Sequence, residues 1–471
     1  MGWRLRASAA TLTVVALVGG YLVLDAHDVV PGILTLAPPP PEPAPFPVAP
    51  GATDGPDPAP VLQPLSADAP VPSSADVGKL VAELAADPRL GPRFGGVVVD
   101  AVSGKVLGSS EASTEFAPAS TQKLLTAVAA LTDLDPDATL DTTVYLDDNR
   151  LVLVGGGDML LAAGAGDPTA VDGRAGLADL AGQVAAALRA TGHENVTLAY
   201  DDSLFTGPAI APAVPPDEAT MGFVAPVASM AINQAMLGEG SWGPRAPDPA
   251  RATAEAFAKV LAEQGVSVGG EITKASPSSG ARVVGTVRSA TIREISGWAM
   301  ERSDNTITEV LGRLVAIESG RPGSVEGATQ AVLATVRRLG VDLDGAVLVD
   351  CSGLGRGSRL SPDQLADVLL LTTNPAYPHL RDVMVDLPVG ALSGTLASRF
   401  GGDSPARGFV RAKTGSLPGI VGLAGSVVTA DDRLLVFALS VDAVESGATV
   451  GARMIFDQFV GRLAALGGAE G

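Results

Sequence analysis

Strand-forming sequence gathers at the two ends of the foldable part of this chain, with helical sequence between, so the main sheet has to be assembled from both ends. The first end is Gly95 to Gly108 (GGVVVDAVSGKVLG), which alternates around Ser103-Gly104 and predicts a hairpin. The second end is Leu423 to Thr429 and Arg433 to Val441, a further hairpin turning at Ala430-Asp431-Asp432, followed by an amphipathic helix from Val450 to Leu466. Ala346 to Val349 and Phe409 to Ala412 read as short strands. Asp76 to Ala86, the run after Lys123, Thr291 to Ile317 and Gly327 to Leu339 read as helices. Residues 140–285 have another texture: short Val/Leu-rich strands (Leu151 to Val154, Val196 to Tyr200), glycine-rich loops and few long helices. They read as a mixed α/β insertion into a body made of residues 76–139 and 286–471. No internal repeat is evident.

The first residues read differently. Arg4 and Arg6 precede an apolar run from Ala7 to Leu24, so residues 1–27 are expected to be a signal peptide or a membrane anchor. The absence of a small-x-small pattern after Leu24 favours the anchor. Positive charge on the leading side places the rest of the chain outside the cytoplasm, in the cell envelope, membrane-anchored or secreted. Residues 28–75 form a proline-rich linker, with 14 prolines in the 35 residues from Pro38 to Pro72. Such composition cannot bury a core, and at ~3.1 Å per residue it would span on the order of 100 Å. That reach suits a catalytic body working on a polymer held away from a bilayer.

The formal net charge of -20 excludes a nucleic-acid partner as the working expectation, because phosphate binding needs clustered Lys and Arg. Cys351 is the single cysteine, so no intramolecular disulfide is available. The three histidines, His27, His193 and His379, lack ligand spacing, so no metal is expected, and a Ser-His-Asp triad has little to draw on.

Ser120 and Lys123 stand three apart at a helix start signalled by Pro118, which puts both on one face. A serine hydroxyl needs a base, and a lysine made neutral by burial and a neighbouring cation can serve. The chain has six lysines, and only Lys123 has a serine three residues before it. A second element is Ser303-Asp304-Asn305, the only place where a serine stands two residues before an asparagine. A third is Lys413-Thr414-Gly415-Ser416 at the end of a strand, whose lysine and hydroxyls suit a carboxylate and whose glycine is expected to admit substrate to the strand edge. Each element alone fits a cap or a turn, but their joint occurrence in this order matches the serine–lysine acyl-transfer set.

The segments FAPASTQKLLTA, SATIREISGWAMERSDNTITEVLGR, DCSGLGRGSRLSP, LPVGALSGTLASRF and AKTGSLPGIVGLAGSV resemble the D-alanyl-D-alanine carboxypeptidase/endopeptidase family, the class C low-molecular-mass penicillin-binding proteins. The resemblance spans about residues 80 to 465. The interval from Ser120 to Ser303 also fits, because that family carries extra domain material between those motifs, here somewhat reduced. The resemblance implies a β-lactamase/transpeptidase-like catalytic domain (α+β, an antiparallel sheet with flanking helices plus an all-α subdomain) with an inserted α/β domain. It implies a serine hydrolase of peptidoglycan stem peptides, acylated by β-lactam antibiotics and needing no cofactor. Ser120 would be the nucleophile, Lys123 its base and Ser303 the proton carrier to the leaving amine. Asn305, Lys413, Thr414, Gly415 and Ser416 would bind substrate, with the backbone N–H groups of Ser120 and Ser416 as oxyanion hole. Arg356 matches an arginine that meets the side chain of the third stem residue, and Asp217 or Glu218 would supply an acidic partner. Cys351 stands where relatives have a small residue, and Pro418 where they often have a polar one. Two other readings stay open: a serine β-lactamase, for which Glu301 and Asn305 are the only Glu/Asn pair at the required spacing, and a catalytically silent wall-binding or penicillin-binding module.

Overall fold

The computed structural model describes Tyr21, Leu24, Val29 and residues 65–467, except residues 194, 239–242 and 446. Apart from those three residues, the expected anchor and the linker up to residue 64 lie outside the described residues. Among the described residues no helix is long and apolar enough to cross a membrane.

Both ends of the chain do build one sheet. Its order is Val410–Leu417, Ile420–Val428, Leu434–Val441, Phe94–Asp100, Val106–Ser110, and every pairing is antiparallel. The central strand Phe94–Asp100 is buried along its whole length. Successive side chains of a strand face opposite ways, and here each face meets a different core. Val98, Phe437 and Leu439 pack with Val77, Leu80, Phe456 and Phe459 from the helices Ser74–Ala85 and Thr449–Ala464. Val97, Val99, Val436 and Ala438 join Leu124, Val128, Leu365 and Leu369 on the other side. That side carries a helical body, Lys123–Asp133, Ile292–Arg302, Asn305–Glu318, Val325–Arg338 and Pro362–Thr373.

Residues 139–291 build a second five-stranded sheet, ordered Ser267–Lys274, Asn195–Asp201, Arg150–Gly155, Thr139–Asp147, Arg282–Thr291. Its first two pairings in that order are parallel and the rest antiparallel. Parallel neighbours need crossovers, and helices Leu177–Thr191 and Pro249–Glu263 supply them, burying Leu180, Val184, Phe257 and Leu261 against Val144, Leu153 and Leu198. The strands that leave and re-enter the catalytic body pair with each other, Thr139 opposite Thr291. Thr291 then caps Ile292–Arg302 with a capping box to Glu294. The insertion is thus stitched in between the helix that begins at Lys123 and the helix that ends at Ser303.

Four local expectations change. The helix expected from Thr291 to Ile317 is two helices broken at Ser303-Asp304. Ala346 to Val349 makes only an isolated bridge, Val347 to Arg359. The insertion holds two helices of 15 residues each, because Ala-rich sequence there follows a helical rather than a strand period. Residues 65–75 are docked rather than free: Arg433 donates to the carbonyls of Ala67 and Ala69, and Ser73 caps the first helix.

Candidate active site

Ser120 lies in a single 3-10 turn, Ala119–Gln122, that runs into the helix Lys123–Asp133, so Lys123 rather than Ser120 opens the α-helix. The turn is tight. Ala119 has φ +46°, a left-handed conformation costly for a residue with a Cβ. Two glycines make room for it: a Cβ at Gly353 would lie 2.0 Å from the Ala119 carbonyl oxygen, and one at Gly415 would lie 2.7 Å from that of Pro118. A side chain at Gly415 would therefore press on the nucleophile turn.

Lys123 is fully buried. Its Nζ donates to Asn305 Oδ1 at 2.6 Å and to the Ser352 carbonyl at 2.6 Å, and lies 3.1 Å from Ser120 Oγ. Burial pulls its pKa down to about 8, against the opposing fields of Asp350, Asp304 and Glu309.

Ser303-Asp304-Asn305 forms the joint between two helices. Ser303 ends the first with a left-handed φ of 59°. Asp304 caps the second by accepting from Ile307 N, and Asn305 begins it. This bend aims both flanking side chains at the lysines: Ser303 Oγ accepts from Lys413 Nζ at 2.8 Å, and Asn305 meets Lys123. Asn305 Nδ2 donates at 2.8 Å to the carbonyl of Phe223, so the insertion contributes to the site.

Lys413 is buried inside the strand Val410–Leu417 rather than at its end. Burial and then the charge of Lys123 hold its pKa well below the usual lysine value. The strand is the edge of the sheet, and among the described residues its outer side is taken at the start, by Val389 opposite Arg411, by Gly390 N donating to Val410 and by Pro388 accepting from Ala412 N. Thr414 pairs with Thr395 at 2.9 Å, and Ser416 is exposed on the open part of the edge. Two hydrogen-bonded groups, Ser120–Lys123–Asn305 and Ser303–Lys413, are thus brought together by the joint at Ser303-Asp304-Asn305, with Thr414 and Ser416 on the neighbouring edge. Arg356 is not in it: its guanidinium makes a 2.5 Å ion pair with Glu218 from the insertion, beside Leu417 and Ala119 in a cavity of about 240 Å³. The two open choices for the acidic partner thus narrow to Glu218. A larger cavity of about 420 Å³ opens on the other side, against Ser303, Asn305 and Thr395.

Behind the lysine lie groups that motif reading passed over. Asp350 receives the backbone N–H groups of Gly353 and Gly355 and the Gln122 carboxamide. Glu309 receives those of Cys351 and Ser352. Burial and the nearby Asp350 push the Glu309 carboxyl upward. Together they hold the loop whose Ser352 carbonyl meets Lys123. Cys351 is buried with its thiol pushed up by burial, and its sulfur fills the space left by Gly312. Glu309 stands four residues after Asn305 on the same helix face, the one signal that would have found it.

The profile of the D-Ala-D-Ala carboxypeptidase 3 (S13) family matches residues 77–241 and 238–465. The chain belongs to that family. It is accordingly a serine-type D-Ala-D-Ala carboxypeptidase, a hydrolase of the penicillin-binding class. Carboxypeptidase DacB of Mycolicibacterium smegmatis is 37% identical over 393 residues, covering 81% of this chain and 83% of the relative. A carboxypeptidase of Mycobacterium tuberculosis is 36% identical over 389 residues, with 80% and 81% covered. Penicillin-binding protein 4 of Haemophilus influenzae shares the fold, with TM-score 0.67 at 21% identity over 81% of this chain and 98% of that one. A structure of the same Haemophilus protein complexed with a β-lactam aligns with TM-score 0.59 at 20% identity.

Proposed function

We propose that Ser120 is the nucleophile of this carboxypeptidase and that neutral Lys123 is its base. The observation that carries this is the arrangement around Lys123 Nζ. A neutral amine has two hydrogens and one lone pair. The short contacts to Asn305 Oδ1 and the Ser352 carbonyl use the two hydrogens, which leaves the lone pair for the Ser120 hydroxyl at 3.1 Å. Ser120 Oγ then attacks the carbonyl of the penultimate D-Ala of a peptidoglycan stem peptide. The C–O bond forms, the C–N bond breaks, and the serine's proton ends on the leaving nitrogen by way of Ser303, which Lys413 orients. Water later cleaves the ester. Backbone N–H groups of Ser120 and Ser416 stabilise the oxyanion, and the acyl portion pairs along the open edge strand. Thr414 and Ser416 take the terminal carboxylate. Gly415 contributes by fixing the nucleophile turn.

The Arg356–Glu218 pair lies on the acyl side, where a zwitterionic stem side chain would meet both charges. β-Lactams acylate Ser120 by the same route. We assign the work to the cell envelope, with residues 1–27 as signal or anchor, the proline-rich stretch from 28 to 64 as linker and 140–285 as the inserted domain, because the substrate polymer lies there and the leading charge pattern fits export. The test is labelling with a fluorescent penicillin, followed by digestion of purified muropeptides with product masses measured. A stable label on wild type and none on Ser120→Ala is expected, with loss of one D-Ala from monomers. Rapid multiple-turnover penicillin hydrolysis, or no label on wild type, would overturn the assignment.

A further inference from the structure

Two hydrogen bonds fix the side-chain amide of Asn305, and they differ in kind. Its Oδ1 accepts from Lys123 Nζ at 2.6 Å, and its Nδ2 donates to the Phe223 carbonyl at 2.8 Å. A neutral lysine amine can donate or accept, so Lys123 would tolerate either face of the amide. A carbonyl only accepts, so Phe223 admits only the nitrogen. The insertion therefore decides which way Asn305 points. Turned over, the amide would offer an N–H to Lys123 and occupy the lone pair that the Ser120 hydroxyl needs.

The Phe223 carbonyl belongs to a short strap, residues 222–225, tied down at both ends. At one end Ala225 N donates at 2.9 Å to Thr306 Oγ1, on the residue after Asn305. At the other, Arg245 Nε and Nη2 donate to the Gly222 carbonyl at 3.3 and 3.1 Å. Arg245 Nη1 donates at 3.1 Å to the Gln234 carbonyl. All three guanidinium nitrogens thus bond to backbone, on a half-buried arginine whose desolvation is partly offset by the charge of Asp304. Gly222 has φ +82°, and a Cβ there would lie 2.0 Å from the Gly243 carbonyl oxygen, so the strap is pressed against the arm that carries Arg245. Gln234 is the middle of three consecutive left-handed residues, Asn233, Gln234 and Ala235, with φ 41°, 51° and 60°. None is glycine, and such a run persists only where its surroundings over-determine it. Arg245 joins that strained turn to the strap.

Resting on the reading of Lys123 as base, we propose that Arg245 is a positioning residue for acylation. By holding the strap at residues 222–225, it keeps the Phe223 carbonyl on Asn305 Nδ2 and so keeps Asn305 Oδ1 on Lys123. The inserted domain thereby governs the base through its main chain, by fixing the amide that leaves the lysine lone pair to Ser120.

The experiment measures the second-order rate of acylation by a fluorescent penicillin for the full chain and its variants, with urea unfolding of each as the folding control. The variants are Arg245→Met, Arg245→Lys, Thr306→Val, Asn305→Ala, and Arg245→Met combined with Asn305→Ala. Arg245→Met is expected to slow acylation about tenfold, the worth of the one hydrogen bond that orients the amide. Arg245→Lys keeps a charged donor for the Gly222 carbonyl and is expected within about threefold of wild type. In the Asn305→Ala background, Arg245→Met is expected to cost less than about twofold more, because the amide it positions is gone. Thr306→Val loosens the strap at its other end and is expected to slow acylation about fivefold. A folded Arg245→Met that acylates within about twofold of wild type overturns the proposal, and so do full multiplicative losses in the double variant. If Arg245→Met fails to fold, a Thr306→Val protein with the wild-type rate overturns it instead. In each of these cases a labelled wild type leaves the serine reading standing. Absence of label on wild type would remove that reading, and this inference with it.

Discussion

Raising the pH from 6 to 9 should speed acylation of Ser120 as buried Lys123 gives up its proton. Burial sets that group's pKa to about 8 in place of the ordinary 10.5. At a pKa of 8 the neutral fraction is about 1% at pH 6, about 9% at pH 7 and about 91% at pH 9. The predicted gain across the window is therefore about ninetyfold, with slope one below pH 8 and a plateau above it. An unshifted lysine would be about 0.03% neutral at pH 7, so burial enlarges the base population about 300-fold. The assay is the second-order rate of acylation by a fluorescent penicillin, measured by rapid quench under conditions where the protein stays folded. A rate flat from pH 6 to 9, or one that begins to rise only above pH 9.5, would refute the claim that buried Lys123 is the base. The same shift has a stability counterpart. The folded amine sheds its proton near pH 8, whereas the unfolded chain holds its proton to about 10.5. The unfolded state thus binds more protons between those values, and this group's contribution to stability rises with pH across the window by about 3 kcal/mol in total.

Other consequences are open to direct measurement. Gly415→Ala places a Cβ 2.7 Å from the Pro118 carbonyl oxygen; it should cost about 1–3 kcal/mol in urea unfolding and slow acylation by shifting the Ser120 turn. Arg433→Met strips the partner from Asp100, which is 0% exposed and paired at 2.6 Å, and should cost about 3–5 kcal/mol at pH 7. Because the ion pair and hydrogen bonds hold the Asp100 pKa below 3.8, the wild-type advantage should persist above that pH and shrink as the pH falls through the folded value. Cys351 should resist thiol reagents in the native protein and react once the chain is unfolded, since it is fully buried with its thiol pKa raised; fast native labelling would contradict the packing against Gly312.

Much of the fold was legible because its cues are local. The two hairpins carry their own turns, at Ser103-Gly104 and at Ala430-Asp431-Asp432, and a period of two fixes which side chains face which core. The break at Ser303-Asp304 was harder to see, because helical propensity continues through it. Only the left-handed Ser303 and the Asp304 cap interrupt it, and both follow from the need to bring Ser303 to Lys413.

Spacing alone put Ser120 beside Lys123 and singled out Asn305 and Lys413, because three-residue steps on a helix and alternation on a strand are properties of the chain itself. What local sequence could not decide is the protonation of the two lysines, the pairing of Arg356 with Glu218, or the cavity beside Ser303. Each depends on segments far apart in sequence: Asp350 and Glu309, whose fields reach Lys123, the insertion's Phe223 against Asn305, and Thr395 against Thr414. Desolvation and Coulomb fields sum over everything nearby in space. A pKa or a cavity therefore exists only once the two sheets and the helical body have closed around it.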